Sequence, residues 1–130
     1  MSSHGALDRL LRLAAADLEL LAVVLFGSVA RGEATAGSDV DVCLVLEGAV
    51  RSRTRGAKKR LDYLGEVDLD LQVFQDLPLY IRPRVLAEGR VLFCRDEDRL
   101  YDVAFATIRA FERFKRTYRA YLDEVERGRP

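Results

Sequence analysis

Apolar positions recur along this chain with two periods, and each change of period marks a change of element. Residues 6–18 place Leu7, Leu10, Leu11 and Ala14 on one stripe, the pattern of an amphipathic helix. Residues 20–26 are apolar at every position, which predicts a central strand covered on both faces. A short helix is expected over residues 28–34, and Gly37-Ser38 turns the chain into a second strand that runs to Leu46. On one face of that strand Asp39 and Asp41 are followed by Cys43 and Val45, so it leaves the core at its first end. Residues 48–56 read as a loop, with a helix following to Leu64. Residues 67–74 alternate: Val67, Leu69, Leu71 and Val73 on one face, Asp68, Asp70, Gln72 and Phe74 on the other, a third strand with one wet face. Residues 79–88 are helical in pattern, and Pro83 requires either a start near Arg82 or a kink. Gly89 is a candidate cap, and residues 90–94 form a short strand. From residue 97 to about 127 one long helix is expected, with Leu100, Ala104, Ile108, Phe111, Phe114, Tyr118, Tyr121, Leu122 and Val125 at helical spacing.

This order predicts an α/β fold: a small mixed twisted sheet with helices mainly on one face, plus a long C-terminal helix. Residues 1–130 are read as a single domain, with a core over about 1–96 and the helix over about 97–127. Composition changes this picture little. At 49% hydrophobic and 32% charged residues the chain is an ordinary globular sequence. Its 21 basic and 21 acidic residues cancel, so no global field invites direct nucleic-acid binding. The longest apolar runs fall short of a membrane span and no signal-peptide core opens the chain, so a cytoplasmic protein with no membrane partner is expected. Cys43 and Cys94 sit in apolar runs and read as small buried thiols, while His4 lies in a polar terminus with no chemical role.

The candidate chemistry lies where the first strand ends and the second begins. Side chains at i and i+2 of a strand share a face, so Asp39 and Asp41 project together. Two carboxylates that close repel unless a hard divalent cation sits between them, and Mg²⁺ with phosphate and water ligands fits that role. Gly27 permits a sharp turn. Ser28 stands where a helix could begin, with its hydroxyl and free N–H groups toward an anion. A phosphate cradle beside paired carboxylates describes an enzyme of nucleoside triphosphates.

Gly27-Ser28, ten residues, then Asp39-Val40-Asp41 resembles the signature of the DNA polymerase β nucleotidyltransferase superfamily. The surrounding residues, through Asp76-Leu77-Pro78 and the final helix, are most similar to minimal nucleotidyltransferases. Many of those are antitoxins paired with a HEPN-domain ribonuclease toxin. The resemblance spans roughly residues 20–122. It implies two-metal catalysis, with two Mg²⁺ ions held by Asp39, Asp41 and a third carboxylate. Asp68 and Asp70 both stand on the wet face of the third strand, and aligning back from Asp76 selects Asp70. Gly27 and Ser28 would hold the β- and γ-phosphates of ATP. Arg31 would add a phosphate contact or cap the loop.

The acceptor implied is a tyrosine hydroxyl on the cognate HEPN toxin, receiving AMP within a hetero-oligomer. Two alternatives are an antitoxin that only masks its toxin and a nucleotidyltransferase acting on small molecules. Two further stretches are open. Arg51, Arg53, Arg55, Lys58, Lys59 and Arg60 read first as a solvated helix face, second as a contact for phosphate or an acidic partner. The final helix spans roughly 45 Å at 1.5 Å per residue, so Phe114, Tyr118 and Tyr121 form either core or a partner surface.

Overall fold

The computed structural model describes residues 3–27, 41–47 and 53–128. Its elements are α1 (Ser3–Ala16), β1 (Leu20–Phe26), β2 (Asp41–Leu46), α2 (Arg53–Leu64), β3 (Asp70–Val73), a single 3₁₀ turn (Phe74–Asp76), α3 (Arg82–Glu88), β4 (Arg90–Cys94) and α4 (Glu97–Glu126). The four strands form one mixed sheet in the order β3-β2-β1-β4. β1 runs antiparallel to both β2 and β4, whereas β2 and β3, joined through α2, are parallel. The end of β1 therefore lies beside the starts of β2 and β3. The short helix expected over 28–34 lies outside the described residues.

The uniformly apolar β1 is buried along nearly its whole length because it is covered on both faces. Leu10 and Ala14 of α1 and Tyr63 of α2 pack with Val23, Leu25, Val42, Leu44 and Leu71 on one face. Val85 of α3 and Leu100 and Val103 of α4 pack with Val24, Cys43, Val45 and Phe74 on the other. The helices are thus shared between the faces instead of lying mainly on one. Alternate positions of β1 and β2 are apolar in both directions, and each set needs its own cover. Burying each of the Leu side chains involved contributes about 1.5–3 kcal/mol.

Element ends differ from the sequence reading where side chains intervene. α1 starts and stops earlier than residues 6–18, because Asp17 leaves the helix to accept hydrogen bonds from Lys59 (3.0 Å) and Tyr63 (2.8 Å). Burial first, then the bond to the Asp17 carboxylate, pushes the Tyr63 phenol well above its ordinary range. The Arg95 guanidinium closes α1, donating to the carbonyls of Ala14 (3.0 Å), Ala15 (3.1 Å) and Asp17 (3.1 Å). α2 begins at Arg53, inside the expected loop, with Gly56 buried so tightly against the Asp76 carboxylate that a Cβ there would collide with it.

β3 is half as long as residues 67–74 suggest, and Phe74 turns into the 3₁₀ segment with its ring in the core. The Gln75 amide then takes over the ladder, donating to the Leu46 carbonyl at 3.0 Å and accepting the Leu46 N–H at 3.2 Å. α3 starts at Arg82 with Pro83 in its first turn, where a missing N–H costs nothing. Gly89 closes it in an extended, not left-handed, conformation, and a side chain there would strike Val24. Asp96 caps α4 by accepting the Arg99 N–H at 3.2 Å. Among the described residues no helix is long and apolar enough to cross a membrane.

Candidate active site

Gly27 follows β1 with φ of +81°, a conformation open to glycine, and its Cα faces the Asp41 carboxylate so closely that a Cβ would overlap it. Asp41 opens β2 opposite Phe26, the last residue of β1. Across the parallel pair, Asp41 is in register with Asp70, the first residue of β3. Adjacent strands lie about 4.8 Å apart, so the two carboxylates leave the sheet side by side. Both stand on the face whose interior continues as Cys43 and Phe74.

The polarity of that face changes within one residue pair. Burial pushes the Cys43 thiol up from 9.0 to about 12, so the strand is already in apolar surroundings two residues behind Asp41. Asp41 itself is half-buried and Asp70 exposed. Gln72, one pair inward on β3, donates its amide toward Asp70 at 3.4 Å. Two like charges at strand spacing disfavour each other, and an oxygen-seeking divalent cation removes that penalty. The donor set therefore fits Mg²⁺: carboxylate oxygens from two adjacent strands, with close-approaching backbone at Gly27.

The expected site residues divide as follows. Gly27, Asp41 and Asp70 are brought together at one end of the sheet. Ser28, Arg31 and Asp39 lie outside the described residues. Asp68 precedes β3 and lines a cleft with Ala6, Arg9 and Glu66, between α1 and the turn after α2. Phe114, Tyr118 and Tyr121 are far along α4 and take no part in this end of the sheet. Gln72 was placed by the sequence on the wet face with Asp70 but was given no role there. The basic run divides too: Lys59 is tied to Asp17 and Glu19 (3.0 and 3.1 Å), and Arg60 to a backbone carbonyl, while Lys58 is exposed. The clefts bounded by Asp17, Lys59 and Tyr63, and by Glu47 and Arg99, lie at the opposite end of the sheet from the carboxylates. Lys59 is paired there with Asp17, and Arg99 with Glu47.

Comparison with known proteins bears on this geometry. The family model described as "Polymerase beta, Nucleotidyltransferase" matches residues 9–98. The chain belongs to that family. This chain is 34% identical over 77 residues to a putative protein adenylyltransferase of Methanocaldococcus jannaschii, a match spanning 58% of this chain and 57% of that relative. Its fold is shared with a solved toxin–antitoxin complex with AMP-PNP, at TM-score 0.65 and 21% identity, over 96% of this chain and 99% of the other. A second structure holds a tri-AMPylated HEPN toxin of Shewanella oneidensis with its MNT antitoxin. It superposes at TM-score 0.63 and 16% identity, over 96% and 99% of the two chains. The mixed four-stranded sheet and long last helix of this chain thus follow the expected fold.

Proposed function

We propose that this nucleotidyltransferase is an antitoxin that transfers AMP from ATP to a tyrosine hydroxyl of a HEPN-domain ribonuclease toxin. The observation that carries the reading is the register of Asp41 with Asp70 beside the left-handed Gly27. Support for the acceptor comes from the relative named a protein adenylyltransferase and from the shared fold with an antitoxin solved on an AMPylated toxin.

In this mechanism the close backbone at Gly27, with the Ser28 hydroxyl, receives the β- and γ-phosphates, and Arg31 adds a further contact. Asp39, Asp41 and Asp70 would hold Mg²⁺. Bound there, the cation neutralises phosphate charge and steadies the leaving pyrophosphate. Asp70, exposed at the edge of the site, accepts the proton of the acceptor tyrosine as its oxygen forms the bond to the α-phosphorus. The bond from that phosphorus to the bridging oxygen breaks and pyrophosphate leaves. Gln72 holds the Asp70 carboxylate in place, and the apolar interior behind Asp41 keeps the field of the carboxylates undiluted by water.

Docking of the toxin is assigned to the distal half of α4. Phe114, Tyr118 and Tyr121 are 45%, 52% and 62% exposed, on the continuation of the stripe that half-buries Leu100 and Val103 nearer the sheet. Phe114 stacks between Phe111 and Tyr118, which presents them as one rigid apolar strip. The test is to incubate the purified helical partner with this protein, ATP and Mg²⁺ and to map the adduct by peptide mass spectrometry. AMP on a tyrosine is expected. A partner that is bound and inhibited but carries no AMP would assign masking instead.

A further inference from the structure

We propose that Arg60 is a positioning residue for the third carboxylate, holding the strand that carries Asp70 in register from outside the sheet. The inference rests on the adenylyl-transfer reading above and extends it to a side chain that touches no reacting atom.

β3 is the weakest element at the site. It has four residues and, among the described residues, one strand neighbour, β2. Carbonyls on the side away from β2 must find other donors, because an unpaired backbone group near the core is costly. The Leu71 carbonyl, one residue after Asp70, accepts from Arg60 Nε at 2.6 Å. Arg60 sits on α2 and is partly buried, with its Nε committed to this bond. A charged donor to a carbonyl is among the stronger hydrogen bonds.

Other ties fix the same segment. Gln75 pairs with both backbone groups of Leu46 on β2. The Asp76 carboxylate packs on Gly56 in the first turn of α2, and Arg82 Nη2 donates to the Gln75 carbonyl at 2.8 Å. These all act beyond Val73, at the far end of β3. At the near end, where Asp70 must stay level with Asp41, Arg60 is the clamp. Losing it frees the first residues of β3 while the far end remains pinned.

The test compares Arg60→Met, which keeps the apolar stem and removes the donor, with Arg60→Lys, which restores one. In the metal-free protein, amide exchange at Leu71 and Gln72 should rise in Arg60→Met, with β1 unchanged. Mn²⁺ affinity and kcat for AMP transfer should each fall about 10-fold, as for other residues that orient metal ligands, with KM for ATP little moved. Arg60→Lys should recover part of each loss. Should Arg60→Met not fold, Arg60→Gln, a shorter neutral donor, is read by the same measurements. Wild-type exchange at β3 together with wild-type Mn²⁺ affinity in the folded variant would overturn the proposal. A wild-type protein that transfers no AMP to its partner would instead overturn the adenylyl-transfer reading, and the metal-free exchange would still decide the role of Arg60.

Discussion

At the residue scale, Asp70 and Asp68 make the sharpest contrast. Both belong to one alternating run, yet only Asp70 is in register with Asp41; Asp68 precedes the strand and borders a cleft on the side of α1. Asp70→Asn keeps the shape of the side chain and removes the negative charge that the proposed mechanism uses as ligand and base. ATP binding should persist while transfer falls by about 100-fold or more. Asp68→Asn should stay within a few-fold of wild type. Steady-state transfer rates and ATP affinities of the two variants check this, and the reverse pattern would move the third carboxylate by two positions. The strand period left Asp68 and Asp70 both open on one face, and only the family resemblance, aligned back from Asp76-Leu77-Pro78, selected Asp70. The contribution of Gln72 was not legible. It depends on where β3 stops and on which side of the sheet the helices leave open, neither of which is written in local alternation.

At the element scale, side chains finish what the backbone starts. Arg95 lies between β4 and α4 in sequence, yet its side-chain hydrogen bonds go elsewhere: it closes α1 and also donates to the Leu20 carbonyl at 3.1 Å. Nothing in Arg95-Asp96-Glu97-Asp98 announces that bond, because its acceptors come from the other end of the chain. Arg95→Ala removes the side-chain hydrogen bonds to the Ala14, Ala15, Asp17 and Leu20 carbonyls, and a loss of about 2 kcal/mol in unfolding free energy is expected from denaturant titration.

The final helix shows the opposite case, in which an element is longer than its cover. Its 30 residues bury Thr107 and half-bury the turns before it, and the stripe then runs on exposed. Aromatic anchors of this kind typically cost about 2 kcal/mol or more of binding energy when truncated. Phe114→Ala combined with Tyr118→Ala should therefore lose toxin affinity in a pull-down while keeping its melting temperature and ATP binding. A sharply lowered melting temperature with unchanged affinity would make the stripe a structural one.

At the scale of the whole molecule, the sheet separates two tasks. One end gathers Gly27, Asp41 and Asp70; the other is closed by ion pairs such as Arg99 with Glu47 and Lys59 with Asp17. Element order and the mixed sheet could be read from periodicity because each strand has its own pattern: uniform in β1, polar-then-apolar in β2, alternating in β3. The uniform pattern of β1 already implied cover on two faces, and assigning the helices mainly to one face overlooked it. The early stop of β3 was not legible, since it is set by Gln75 taking over a ladder position from a turn.

The central claim is that this end of the sheet performs metal-assisted adenylyl transfer. The most direct measurement is the rate at which label from α-labelled ATP enters the partner protein, for wild type and for Asp41→Ala at equal, verified folding. The account predicts a rate lowered by about 100-fold or more in Asp41→Ala. Transfer continuing near the wild-type rate would contradict it.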